Sequence, residues 1–258
     1  MRSRKVEDGC RNTSDPEDRA RRILDVTAEL LTNGDYKRVT VEEIANRAGI
    51  GKGTVYLHWK TKEELFGVVL IKDLMNAALE LLGVVQENPQ AVLLHRVVAT
   101  HFLGVMRRPL LRALCTRDQE VLGKLTTSPP GSLVDRNRAL REMHLRYFDC
   151  LARHRLVLAD CDGEFVLNAA GAMARGMMMQ HRVRPAHSRG SELTAMAKVL
   201  AHTVHRAFEP PRRPPQAAVE GAAADVADLL RDFVASCSKF TSVAAGDALC
   251  APRTLLAR

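Results

Sequence analysis

Aromatic side chains are scarce, with one tryptophan, three tyrosines and seven phenylalanines among 258 residues. The alternation of β-branched or aromatic residues with polar ones that marks strands is missing, which argues against a sheet-based fold. No run of 18 or more apolar residues occurs, so no membrane span is expected. The opening "MRSRKVEDGCRNTSDPEDRA" is charged and has no apolar run behind it, unlike a secretory signal. Six cysteines (Cys10, Cys115, Cys150, Cys161, Cys237 and Cys250) are scattered, with no CxxC pair and no histidine at zinc-ligand spacing. Neither a disulfide scaffold nor a structural zinc site is therefore expected. Reduced thiols in a cytoplasmic protein fit this usage, with a redox-sensing thiol as the alternative. GxSxG, HExxH and phosphate-cradling glycine motifs are also absent. No catalytic constellation emerges, so the expectation is a non-enzyme without a cofactor.

Alanine, leucine, valine, arginine and glutamate dominate instead, a composition that favours helices. Hydrophobic residues make up 46% and charged residues 26%, ordinary for a globular chain of one or two domains. The net charge of +8 points to a polyanionic partner, but its distribution matters more than its total. Residues 1–65 hold 13 Lys and Arg against 12 Asp and Glu. Within them, residues 44–62 carry Arg47, Lys52, Lys60 and Lys62 with no acid. The region is balanced overall and has one basic stretch, which by charge alone reads equally as a solvated surface.

Residues 1–13 read as a disordered basic arm. "SDPED" then opens a helix, with Ser14 or Asp15 as cap, Pro16 in the first turn and Glu17 and Asp18 on the dipole. Ala20, Ile23, Leu24, Thr27, Leu30 and Leu31 recur at three and four, one apolar stripe. Gly34 in "NGDY" is a left-handed stop. Thr40 and Glu43 form a capping box for a short second helix whose Val41, Ile44, Ala45 and Ala48 face inward. Gly49 ends it. A third helix runs from Lys52 to about Trp59, and Thr61 with Glu64 caps a long fourth helix through about Leu82. Further helices are expected at 90–107, 109–125, 133–156, 163–182 and 191–208, nine in all. "EPPRRPPQ" (209–216) reads as a stiff linker to an optional tenth helix, and residues 241–258 as a loose tail.

The second and third helices, joined through "AGIG", make a helix-turn-helix arrangement. Such an arrangement lays its second helix in the major groove, base edges at its N-terminal end and phosphates at its flanks. Val55 and Trp59 would anchor that helix inward. Lys52, Gly53, Thr54, Tyr56 and His58 are then left outward or at the edge. Lys52 can reach guanine acceptors or a phosphate, Gly53 allows close backbone approach, and Thr54 can offer a methyl or a hydroxyl. Tyr56, His58 and Lys62 suit phosphates. A bare helical bundle with a charged rim would show the same generic pattern.

The specific residues narrow the choice. From Ala20 to Leu70, about a fifth of the chain, the sequence resembles the DNA-binding domain of the TetR family of bacterial regulators. "TVEEIANRAG", "GKGTVY" and "KTKEEL" carry the resemblance. It implies an all-α protein with an N-terminal three-helix DNA-binding domain (14–65) and a C-terminal helical ligand-binding and dimerisation domain (66–208), followed by linker, extra helix and tail (209–258). It further implies operator contacts from Lys52, Gly53, Thr54, Tyr56, His58 and Lys62, with Thr40 near a phosphate. Gly51 stands where the family often has a capping serine, and Trp59 where it usually has phenylalanine. Arg2, Arg4, Lys5 and Arg11 are either a minor-groove arm or an untethered tail.

Two reading heads on a two-fold axis supply the contacts that one small head lacks, so a homodimer on a palindromic operator is expected. The resemblance implies dimerisation through the helices at 163–182 and 191–208. Within "NAAGAMARGMMM", Ala169, Ala170, Gly171, Ala172 and Ala174 would permit close approach; Met173, Met177 and Met178 belong either to that interface or core, or to a cavity. A ligand pocket is expected among the fourth to seventh helices, with His95, Phe102, Met106, Cys115, Met143 and Tyr147 as candidate lining. His202 and His205 are an i, i+3 pair without a third metal ligand. The implied activity is repression relieved by an unidentified small molecule that prefers a form with the fourth helix swung. A constitutive DNA binder, or a helical enzyme using its N-terminal motif for assembly, are the alternatives.

Overall fold

The computed structural model of the chain describes residues 16–33, 38–182 and 189–241. The basic arm, the Gly34 stop, most of the "RPAHSRG" break, Cys10, Cys250 and the tail beyond 241 lie outside the described residues. Eleven α-helices and no strand occur among those described. The first four are α1 (Pro16–Asn33), α2 (Val41–Ala48), α3 (Lys52–His58) and α4 (Lys62–Glu87). A 3₁₀ turn at Pro89–Val92 leads to α5 (Leu94–Met106), α6 (Pro109–Thr116) and α7 (Gln119–Leu122). Then come α8 (Gly131–Arg153), α9 (Gly163–Arg182), α10 (Arg189–Phe208) and α11 (Gln216–Thr241).

Local chemistry sets the first four helices. The α1 stripe is buried throughout, and the Thr27 hydroxyl satisfies itself on the Ile23 carbonyl at 2.6 Å. Thr40 caps α2 by accepting the Glu43 N–H at 3.1 Å, and Thr61 caps α4 by accepting the Glu64 N–H at 3.1 Å. The Glu64 carboxylate in turn accepts the Lys60 N–H at 2.8 Å. Gly49 closes α2 at φ 67, left-handed backbone that costs a side-chain-bearing residue about 1–2 kcal/mol. Its N–H and that of Ile50 turn back onto the last carbonyls of α2, so α3 leaves at once in a new direction.

The expected helix over 109–125 is broken, which takes the count to eleven. Arg117 adopts φ 52, and the Asp118 carboxylate accepts the N–H groups of Glu120 and Val121 at 3.0 and 3.3 Å, starting α7 anew. An aspartate cap outcompetes helix continuation there. The expected optional tenth helix is α11, 26 residues long, and it lies against α4, α8 and the 89–92 turn. Its Val219, Ala222, Val226, Leu230, Phe233 and Cys237 are buried at helical spacing in the same core as α4 and α8. Each such large apolar side chain contributes roughly 1.5–3 kcal/mol by leaving water, so α11 is a wall of the larger domain. The linker before it is anchored at Glu209, a buried carboxylate.

Candidate nucleic-acid interface and effector cavity

The third helix separates its two faces by phase. Val55 and Trp59 are 1% and 4% exposed, while Tyr56 and Leu57 stand out at 42% and 85%. Lys52 and Gly53 are exposed on the first turn and Thr54 is half-buried. Gly51, as N-cap, offers no side chain to that turn. Thr40 is exposed, its hydroxyl oxygen already engaged in capping.

Three expected contacts carry constraints that the sequence did not reveal. Lys52 pairs with Glu42 of α2 and lies 5.9 Å over the Tyr56 ring, so a DNA partner must displace an internal carboxylate. The hydrogen bond from Lys52 holds the Glu42 carboxyl below its ordinary range. His58 is half-buried, its ring 5.4 Å from that of Trp59. Burial, and secondarily the Arg19 guanidinium, lower its pKa, so near neutral pH it acts as an uncharged imidazole. Lys62, half-buried over the Phe66 ring at 5.1 Å, is likewise lowered by burial. Leu57 was missed; its position two residues from both Val55 and Trp59 is the phase signal that could have placed it outward.

The larger domain contains a cavity of about 430 Å³ bounded by α4, α5, α6, α8, α9 and α11. Of the expected lining residues, Cys115, Met143 and Tyr147 face it. The Tyr147 hydroxyl donates to the Val92 carbonyl at 2.8 Å, and burial raises its pKa. Phe102, Met106 and His95 do not line it. Phe102 and Met106 are buried in the helix packing. His95 serves a clamp instead: its backbone N–H reaches one Glu209 oxygen at 2.8 Å, and its Nδ1 and that of His205 each sit 2.7 Å from the other. Burial pushes the Glu209 carboxyl up, but these hydrogen bonds outweigh it and hold the pKa below the ordinary value. The clamp ties the start of α5 to the end of α10, and His202 stays exposed outside it.

Sequence reading also missed His101, His144 and Arg136, all on the cavity. Burial lowers both histidines, His144 to about 4, with His101 a secondary cause there. Arg136 is 1% exposed, and burial pulls its guanidinium down to about 10. On α9, Ala170, Ala174 and Met178 turn inward and line the cavity, whereas Phe165, Ala172 and Met179 point out at seven-residue spacing. Phe165 and Met179 are 67% and 57% exposed, and Val199 of neighbouring α10 is exposed as well.

The family model for "Bacterial regulatory proteins, tetR family" matches residues 23–69, from within α1 into α4. An uncharacterized HTH-type transcriptional regulator YhgD of Bacillus subtilis is 38% identical over 64 residues, 24% of this chain and 34% of the relative. The fatty acid metabolism regulator protein of the same organism is 34% identical over 58 residues, 22% of this chain and 29% of the relative. The chain thus spans about a third of the length of the curated relatives it matches. The crystal structure of native NalD, the secondary repressor of the MexAB-OprM multidrug efflux pump in Pseudomonas aeruginosa, is similar over 77% of this chain and 100% of that one. Its identity is 18% and its TM-score 0.48, a likeness too loose to carry an argument. The domain match falls on the capped α2–turn–α3 unit and its supports, so residues 23–69 match the DNA-binding domain model of the tetR family of bacterial regulatory proteins.

Proposed function

We propose that the protein is a sequence-specific DNA-binding transcriptional regulator, a repressor released from a palindromic operator by a small molecule. The observation that carries this reading is the face of α3. A helix seven residues long buries Val55 and Trp59 and turns Lys52, Gly53, Tyr56 and Leu57 to solvent, at the position where the family places its reading head. Lys52, Gly53 and Thr54 read base edges; Thr40, Tyr56, His58 and Lys62 position the backbone. Leu57 adds an apolar contact suited to a thymine methyl.

A homodimer presents two such helices to successive grooves. The outward row of Phe165, Ala172 and Met179, with Val199 beside it, supplies an apolar face for a second copy. The cavity favours ligand response over constitutive binding, because its volume falls within the range of small-molecule sites. Fluorescence anisotropy with the gene's own upstream DNA tests the reading at moderate salt. Saturable binding that survives a large excess of unrelated DNA is expected, and equal affinity for both would sink it.

A further inference from the structure

Arg136 presents an unmet electrostatic demand. It is the largest side chain among those with under 2% exposure, and it stands on the cavity wall between Cys115 and Cys237. Its Nε and Nη2 are buried without a hydrogen-bond partner. A guanidinium carries five N–H donors and no acceptor, so it cannot satisfy itself. The remaining charges on the wall are already committed. Glu80 pairs with Arg108, and Glu164 with Arg141. Arg175 lines the cavity too and brings more positive charge. Four arginines therefore face two carboxylates, both of them occupied; Arg136 and Arg175 are left without one, and of these two Arg175 is exposed while Arg136 is buried. His101 and His144, held neutral near pH 7, supply no counter-charge.

A buried cation without a partner destabilises the fold, a penalty that an arriving anion or loss of the charge removes. The surroundings define what else that anion must carry. Leu74, Val97, Leu140, Met143, Leu230 and Phe233 surround the space with apolar surface. We infer that the cavity binds an apolar molecule ending in a carboxylate, held by Arg136 through a charge-assisted, two-pronged hydrogen bond. This rests on the cavity being the effector site, and it names the class of effector. Neutral apolar compounds fill the same volume but leave the guanidinium unsatisfied; cationic ones oppose it.

The test compares decanoate, decanol and decylamine by titration calorimetry on the full-length protein and on Arg136→Met, which keeps the length of the side chain and removes the charge. In the wild type, decanoate is expected to bind at least about tenfold more tightly than decanol, and decylamine least. In Arg136→Met the preference for decanoate disappears while decanol binding persists, showing the cavity intact. Equal wild-type affinity for decanoate and decanol, or an undiminished preference in the variant, overturns the carboxylate assignment and leaves the cavity reading standing. Binding of none of the three overturns both. A ligand-free readout adds a second check: Arg136→Met should melt at a higher temperature than the wild type, since an uncompensated charge is gone. A lower melting temperature would mean that the guanidinium is already satisfied in the folded protein, and the inference would fail.

Discussion

Lys52 and Lys62 are both cations at the proposed DNA face, yet their surroundings give them different tasks. Lys52 is exposed at the start of α3 and bound to Glu42, a surface partner it can exchange for a base edge in the proposed complex. Lys62 is half-buried at the start of α4, its ammonium 5.1 Å over the Phe66 ring, and its proposed contact is the DNA backbone alone. Lys62→Ala should weaken binding to all DNA sequences and reduce the steepness of the salt dependence by about one ion. Lys52→Ala should change which operator variants are preferred, at about 1–3 kcal/mol for the affected base pair. Anisotropy titrations across a salt series and a panel of single-base operator variants separate the two; a change of preference from Lys62→Ala would reverse the roles. His144 makes a different prediction, about pH. Its folded pKa of about 4 lies below the ordinary histidine value near 6.5. Above that value both folded and unfolded chains hold it neutral. As pH falls from about 6.5 toward 4, the unfolded chain takes up the proton and the folded chain resists, so stability is lost across that window. His101 acts in the same direction. Thermal melts of the ligand-free protein should fall between pH 7 and pH 5, and His144→Phe should flatten the fall.

At the scale of elements, α11 has consequences out of proportion to its place after a proline-rich linker. Phe233→Ala should destabilise the protein by about 3–5 kcal/mol, measured by denaturant unfolding, because the side chain is buried on the cavity wall and its removal widens that space. A loss below about 1 kcal/mol would mean that α11 detaches in solution. The sequence made the helix legible but not its importance. Amphipathic spacing shows that a face must be buried; it does not show that α4 and α8 are what bury it. Caps and turns were legible because they are local: Thr40 with Glu43, Thr61 with Glu64, and Gly49 each act within four residues. The break at Arg117 was local too, yet the capping power of Asp118 was overlooked within a run that otherwise suited a helix. The cavity was least legible. Cys115, Met143 and Tyr147 were placed on it, but Arg136 matters because Glu80 and Glu164 are taken by other arginines, a pairing fixed only by tertiary structure. His95 went astray for the same reason, since its partner Glu209 lies 114 residues away.

For the whole molecule, the exposed row on α9 is the face of the proposed dimer. Met179→Glu, with the same change at Phe165, should convert the proposed dimer to a monomer in sedimentation while the single-chain melting transition persists, because both side chains face outward. Operator affinity should then fall by orders of magnitude, as one reading head loses the second. A dimer that survives both charges would place the interface elsewhere. The fourth helix joins the two proposed sites without interruption: Lys62 starts it at the proposed DNA face, and Leu74, Ala77, Ala78 and Leu81 of the same helix wall the cavity. From Ala78 to Lys62 is sixteen residues, about 24 Å at 1.5 Å per residue. On an arm of that length a tilt of about 8° displaces the far end by about 3 Å, roughly a hydrogen-bond length. Under the same tilt the cavity wall at Leu74, four residues or about 6 Å from Ala78, moves by less than about 1 Å, so in the proposed response a small effector would suffice to break contact at the phosphates.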